Sequence, residues 1–264
     1  MLKTIYGFDE DGKKVPIGTY NVIPSTKVGG TIFYIDNTAD GTYTFYNAQG
    51  TQVSTPTVGT DCTGWSYEVT GASKDKFYVY NQNAMFPVGR ARTLLEPDYS
   101  WTYFDESDGR IHELVGVSGD AIGAGKTNTS TVMTYNNGVY IQGPEPSYVG
   151  SSSYAETIWY ICDNFNKGTY TLNGSAVSNT TGCSDWYVPS MNELLAMKDA
   201  IGASTFANML NYGGEVYPWS STEDGADDSG EYAYTWSYDG GSDDYFTSSK
   251  SGTVATALAL CRSF

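Results

Sequence analysis

The stretch Asp185-Trp186-Tyr187-Val188-Pro189-Ser190-Met191-Asn192-Glu193-Leu194 decides how the rest of the chain is read. Ser190 and Glu193 stand three residues apart, just ahead of an apolar run. That is the pattern of a capping box, in which the serine hydroxyl takes the amide of the third helical residue and the glutamate reaches back to the serine amide. Losing the Ser190 cap should cost about 1 kcal/mol. Leu194, Leu195, Met197, Lys198 and Ile201 carry the helix onward, and Gly202 is a natural residue to end it. A second helix is predicted over about Ser153 to Phe165, capped by Ser153, with Ile158, Trp159, Ile161, Cys162 and Phe165 as its apolar stripe.

The chain around these two helices reads as short strands and turns. Its 264 residues include 30 Gly and 23 Tyr, and only 17% are charged, which favours strands over long helices. Gly30-Thr31-Ile32-Phe33-Tyr34-Ile35, Thr42-Tyr43-Thr44-Phe45-Tyr46 and Phe77-Tyr78-Val79-Tyr80 have the β-branched and aromatic chemistry of strands. Ala257-Leu258-Ala259-Leu260 reads as a strand buried on both faces. Residues 1–25 form an arm, with Asp11-Gly12 as a hairpin signal between two strands. Asn136-Asn137-Gly138 and Asn173-Gly174 are further hairpin signals. Two helices among many short strands make an α+β domain.

Charge and cysteines exclude several classes. The net charge of -16 argues against nucleic acid, because phosphate contacts need clustered Lys and Arg. No stretch is long or apolar enough to span a bilayer. Met1 to Gly7 lacks the apolar core of a signal peptide, so synthesis without export is expected. Cys62, Cys162, Cys183 and Cys261 form no C-x-x-C pair, which argues against zinc; buried free thiols are the expectation, with a bridge between two of them as the alternative. His112, the sole histidine, reads as a surface or loop residue and leaves little material for a catalytic triad. Gly119 to Thr127 is reminiscent of a phosphate loop, but that motif needs glycine where Asp120 stands, and a carboxylate there repels phosphate.

Four blocks in order resemble a known family. Asp185 to Leu194 matches D-W-x-x-P-S-x-x-E-L, the signature of bacterial and phage domains of the Legionella collagen-like-protein C-terminal type. Ala121 to Thr129 is similar to the family's I-G-x-G-x-x-N-T block, Trp219-Ser220-Ser221-Thr222-Glu223 to its W-S-S-[ST]-E block, and Leu258 to Phe264 to its closing V-R-x-V-R-x-F. Gly29 to Tyr34 fits its opening strand. The resemblance implies a C-type-lectin-like fold: two helices with small twisted antiparallel sheets and long loops. It covers residues 26–264, with an insertion at about 42–111 that is long for the family. A second departure is Leu-Ala-Leu-Cys ahead of Arg262, where the family has Val-Arg. The fold implied is related to formylglycine-generating enzymes and to the variable proteins of diversity-generating retroelements, such as a phage major tropism determinant. In this framework Trp186, Pro189, Glu193, Trp219, Tyr234, Tyr238 and Arg262 are scaffold.

Between Glu223 and Ser249 the composition changes to Asp, Gly, Ser and Tyr, with neither Lys nor Arg. Antibody paratopes have this character, because Tyr gives large amphipathic contacts at low entropic cost and Ser, Gly and Asp adapt their hydrogen bonds. Retroelements randomise adenines. From an Asn codon such changes reach Tyr, Ser, Asp, Gly, Thr and Ala but not Lys, Glu, Gln, Met or Trp, and Asp227-Asp228-Ser229 and Ser242-Asp243-Asp244-Tyr245 fit that set. The candidate ligand-binding residues are therefore Asp224, Asp227, Asp228, Tyr232, Thr235, Trp236, Ser237, Asp239, Ser242, Asp243, Asp244, Tyr245 and Thr247. A face of this size can bury about 800 Å² on each partner.

The function expected is that of a ligand-binding display protein rather than an enzyme. It would recognise a host or cell-surface protein or glycan through a hypervariable C-terminal face, from a virion tail tip or a cell surface. The N-terminal arm would attach it, and a trimer is one arrangement. The alternative is a non-variable C-type-lectin-like adhesin or sugar-binding protein. Glu145-Pro146-Ser147 matches only part of a calcium-dependent sugar loop and has no Trp-Asn-Asp partner. No cofactor is expected, a structural calcium under the acidic loop aside.

Overall fold

A computed structural model describes residues 2–8, 13–21, 26–87, 99–102, 104–105, 109–110, 113–141, 156–172, 175–210, 216–226, 229–239, 242–250 and 256–264. The chain opens with the antiparallel hairpin β1 (Leu2–Phe8) and β2 (Lys14–Asn21). Next come β3 (Thr26–Lys27), β4 (Thr31–Ile35), β5 (Thr42–Tyr46), β6 (Gln52–Val53), β7 (Ser66–Thr70) and β8 (Phe77–Phe86). Three short strands follow, β9 (Tyr99–Ser100), β10 (Phe104–Asp105) and β11 (Gly109–Arg110), and then helix α1 (Ala124–Thr134). The strand β12 (Glu156–Thr157) leads into α2 (Ile158–Lys167), the hairpin β13 (Thr169–Leu172) and β14 (Ser175–Ser178), and the helices α3 (Met191–Ile201) and α4 (Ala203–Leu210). The strands β15 (Tyr217–Glu223), β16 (Tyr232–Asp239), β17 (Ser242–Ser249) and β18 (Thr256–Ser263) complete the chain.

This is a mixed α+β architecture built on two open sheets. The larger has the order β17-β16-β15-β18-β8-β4, antiparallel except for the parallel pair β15 and β18. The smaller, β3-β7-β5-β6, is antiparallel. Within the segment 42–111, β5 to β7 belong to the small sheet, β8 is an inner strand of the large one, β9 pairs with β12, and β10 pairs with β11.

The large sheet is covered on both faces. On β18, Leu258 and Leu260 point into a core with Trp159, Trp186 and Trp219, while Ala257, Ala259 and Cys261 meet Leu194, Met197 and Phe206 from α3 and α4. Alternation along a strand sends successive residues to opposite faces. Ala257 to Leu260 are accordingly fully buried, as their unbroken apolar run implied. Trp101, Trp159, Trp186, Trp219 and Trp236 are fully buried too. Each removes roughly 150–250 Å² from water, about 4–6 kcal/mol as an upper figure. That outweighs any single cap.

Three sequence expectations change. Four α-helices are described, not two. The missed α1 is rich in Thr and carries a glycine, both poor helix formers. It is held by tertiary polar ties instead: Thr129 Oγ1 accepts from Val188 N at 3.0 Å, and Asn128 Nδ2 donates to Gly119 O at 2.7 Å. The hairpin expected at Asn136-Asn137-Gly138 is a helix end. These three residues do take positive φ (47°, 59° and 78°), but they join α1 to a short 3-10 turn rather than two strands. Helix α2 begins at Ile158, where Thr157 caps it by accepting from Tyr160 N at 3.0 Å; Ser153 lies outside the described residues. Around 173–174, β13 and β14 pair as a hairpin with Leu172 opposite Ser175. His112, Glu145, Pro146 and Ser147 lie outside the described residues.

Candidate functional site

The residues of the four sequence blocks meet in space and bind one another. Ser190 caps α3, accepting from Glu193 N at 3.3 Å, and the capping box is complete. The Glu193 carboxylate is fully buried. It accepts from Ser190 N (2.7 Å), Gly123 N (3.0 Å), Gly125 N (3.2 Å) and the Tyr187 hydroxyl (3.0 Å). The glycine-rich loop thus cradles an anion, but that anion is the protein's own carboxylate. Burial pushes the Glu193 carboxyl above its ordinary range, against the opposing pull of the Ser190 amide, the Tyr187 hydroxyl and the Gly123 amide. Gly125 has no room for a side chain: a Cβ there would stand 2.2 Å from Glu193 Oε2 and 2.6 Å from Ser190 N.

The Trp219 block is bound up in the same way. Trp219 Nε1 donates to Tyr99 O at 3.1 Å, Ser220 Oγ to Tyr234 O at 2.8 Å, and Thr222 Oγ1 to Gly119 O at 3.1 Å. Pro189 is buried, and its carbonyl accepts from Ser221 N at 2.7 Å. Glu223 accepts from the amides of Val115 (2.9 Å), Gly116 (2.7 Å) and Val117 (2.9 Å). It also pairs with the ammonium of Lys250, both side chains being fully buried. Lys250 Nζ donates to Glu113 O at 2.8 Å and lies 4.4 Å from the Trp101 ring centroid. At the C-terminus, Arg262 pairs with Asp185 and donates to Lys27 O at 2.7 Å and Val28 O at 2.9 Å. Phe264 stacks on Tyr67 at 4.0 Å. Trp186 Nε1 donates to Thr181 Oγ1 at 3.0 Å.

Beside this lattice, β16 and β17 carry the predicted binding residues. Tyr232 (37% exposed) and Tyr245 (54%) face solvent. Asp244 is exposed and its carboxylate accepts from Tyr245 N at 2.8 Å. Asp224, Ser237 and Thr247 are half-buried. Asp227 and Asp228 lie outside the described residues, as do the side chains of Asp239, Ser242 and Asp243.

Two candidates are corrected. Thr235 is buried, its hydroxyl donating to Pro218 O at 2.8 Å. Trp236 is buried against Phe206 (5.4 Å between centroids) and Tyr238 (5.8 Å). Trp236 is covered by α4, and the Thr235 hydroxyl is tied down to the backbone of β15 on the other face. Alternation then selects between two covered faces rather than between core and solvent.

Exposure passes instead to the edge strand β17. Tyr245 lies opposite Trp236, and Phe246 lies opposite Thr235 on the other face. Phe246 is 38% exposed and meets Tyr217 edge-on at 5.7 Å. It was missed because an apolar residue beside Tyr245 reads as core. The signal was the adjacency itself, since two neighbouring aromatic residues in a strand point to opposite faces.

Between this edge and the start of α3 lies a cavity of about 320 Å³. Ser118, Asp120, Asn192, Asp224, Tyr234 and Tyr245 line it. The Tyr234 phenol is pushed above its ordinary value by burial first, then by Asp224, Tyr245 and Asp120. It stays a neutral hydroxyl that can donate or accept. The four cysteines are buried free thiols, with Cys62 pushed up to about 12 by burial. Among the described residues no three His, Cys, Asp or Glu side chains converge to hold a metal. No helix among them is long and apolar enough to cross a membrane. The arrangement offers amphipathic rings, hydroxyls and carboxylates at a rim.

No family model, no curated protein and no solved structure matches the chain.

Proposed function

We propose that the chain is a ligand-binding display protein of C-type-lectin-like fold. Its variable face would be the rim of β17, the exposed end of β16 and the loop from Asp224. The observation that carries this is a division of labour. The motif residues Trp186, Glu193, Trp219, Glu223 and Arg262 are consumed by internal ties. Tyr232, Tyr245, Phe246 and Asp244 beside them are exposed. Such a frame tolerates substitution at the rim because the rim contributes little to the core. The fold reading draws support from the central β18, which pairs on one side with β15 and on the other with β8.

In this reading the partner is a host or cell-surface protein or glycan, met from a virion tail tip or a cell surface. The N-terminal hairpin serves as the attachment, in a trimer or singly. The randomising mechanism is a diversity-generating retroelement. A structural calcium would belong to the acidic loop from Asp224.

Two measurements test this. An adenine-rich near-copy of the codons for the region 224–247 should lie beside a reverse-transcriptase gene, and related genomes should differ there while keeping the codons for 185–194. Differences spread evenly over both regions, with no such copy, would refute retroelement variation. In cell-surface binding, Tyr245→Ala and Phe246→Ala should each weaken capture about tenfold or more with unfolding midpoints unchanged. Unaltered capture would remove the β17 edge from the site. A fixed sequence with intact capture would favour the non-variable adhesin.

A further inference from the structure

A second groove lies on the small sheet, and nothing in the proposed function uses it. Gln52, Ser54, Thr55, Thr57, Thr60 and Trp65 line it, together with the half-buried Val53 and the buried Pro56. Its volume is about 790 Å³, within the roughly 300–1,000 Å³ of small-ligand sites. From this groove we infer a binding site for a neutral saccharide.

Three observations carry the inference. The first is the fate of the tryptophans. Of six in the chain, five are fully buried, and Trp65 alone is left half-buried, at this groove. Trp65 packs partly against the core and is partly open at the groove, where its indole offers apolar surface. The apolar C–H face of a sugar ring fits such a surface.

The second is charge. The chain carries 30 Asp and Glu and 14 Lys and Arg, yet none of the groove's lining residues is charged. A phosphate, a carboxylate or an ammonium ion would find no countercharge here. What the lining offers is one carboxamide and four hydroxyls, groups that both donate and accept. A ligand edged with hydroxyls and carrying no charge is their complement.

The third is rigidity. The loop that bears Thr55 to Thr60 is pinned to β4: Gly59 N donates to Ile32 O at 2.8 Å and Ile32 N to Thr60 O at 3.1 Å. Thr60 Oγ1 accepts from Thr57 N at 3.1 Å. Trp65 is held through Val28 N to Trp65 O and Trp65 N to Cys62 O, both 2.9 Å. Ile32, Val28 and Cys62 are fully buried. A site already fixed by its own backbone loses little freedom on binding.

A proline-rich peptide is the other ligand that favours aromatic grooves. Its sites are lined by several aromatic rings, whereas this groove has one.

The test uses the full chain and a panel of neutral trisaccharides in gluco, galacto, manno and N-acetylated configurations, read by saturation-transfer NMR and calorimetry. A polyproline peptide is included as a competitor class. At least one trisaccharide should bind with protons of one ring face nearest the protein. Trp65→Ala should weaken it tenfold or more, about 1.4 kcal/mol. Trp65→Tyr, which keeps a ring against the core, should retain most of the binding, and Gln52→Ala should weaken it several-fold. Tyr245→Ala, on the other sheet, should leave it unchanged. No binding by any panel member, binding that survives Trp65→Ala, binding lost in Tyr245→Ala, or binding of the polyproline peptide alone would each overturn the proposal. Binding lost in Tyr245→Ala would place the saccharide at β17 instead; the other results do not bear on that face.

Discussion

Replacing Lys250 by Met should cost about 3–5 kcal/mol. The magnitude follows from what surrounds the charge. Lys250 and Glu223 are both fully buried, so neither is stabilised by water. Removing one member of such a pair leaves the other as an uncompensated buried charge, and that is the costly event. In Lys250→Met the Glu223 carboxylate keeps its three amide donors from Val115, Gly116 and Val117 but loses its cation. In Glu223→Gln, Lys250 keeps the Glu113 carbonyl and the Trp101 ring. The Gln amide nitrogen, however, is a donor facing donors. Each single variant should lower the midpoint of thermal unfolding by about 6 to 20 °C, at about 2–4 °C per kcal/mol for a chain of this size. The double variant Glu223→Gln/Lys250→Met should be less damaged than the sum, with a coupling of about 2 kcal/mol. Urea unfolding followed by tryptophan fluorescence measures all three free energies. Additive losses, or single losses below about 1 kcal/mol, would show that the pair does not clamp residues 113–117 to the base of β17.

Two further outcomes follow from the Glu193 centre. Gly125→Ala should abolish cooperative unfolding by circular dichroism, because the new Cβ meets backbone atoms, Ser190 N at 2.6 Å and Val188 O at 2.8 Å, that cannot swing aside; a variant that melts within a few degrees of the parent would refute this. Glu193 has a carboxyl pKa raised above its ordinary value of 4.5. Its proton-linked stability is therefore fully present below that value and is lost as pH rises through the folded one. The stability difference between the parent and Glu193→Gln should shrink from pH 4 upward, and a difference that grows with pH would contradict the sign.

The readable parts of the sequence were those in which local chemistry and tertiary context agree. Ser190 and Glu193 announce the start of α3 because a capping box is a property of four consecutive residues. The run Ala257 to Leu260 suits a strand covered on both faces, because both alternating sets of side chains must then be apolar. Helix α1 was illegible, since Gly125, Thr127 and Thr129 disfavour a helix and part of what holds it, the Thr129 tie to Val188, comes from far along the chain. Thr235 and Trp236 were misplaced for a related reason. A polar or amphipathic residue in a strand is exposed only where no helix, strand or loop covers the face to which it points.

The sequence alone therefore determined the α+β class, the cap of α3, the double burial of β18 and the change of chemistry after Glu223. Tertiary structure decided where that chemistry surfaces. It put β16 inside the sheet and β17 at its edge, so the aromatic rim falls on Tyr245 and Phe246. It also turned a loop resembling a phosphate cradle into the seat of the Glu193 carboxylate. The reason is the same in both cases. Residue type and spacing set what a segment can bury or bind, but occupancy of a face or of an amide cluster depends on neighbours outside the segment, Phe206 for Trp236 and Glu193 for the amides of Gly123 and Gly125.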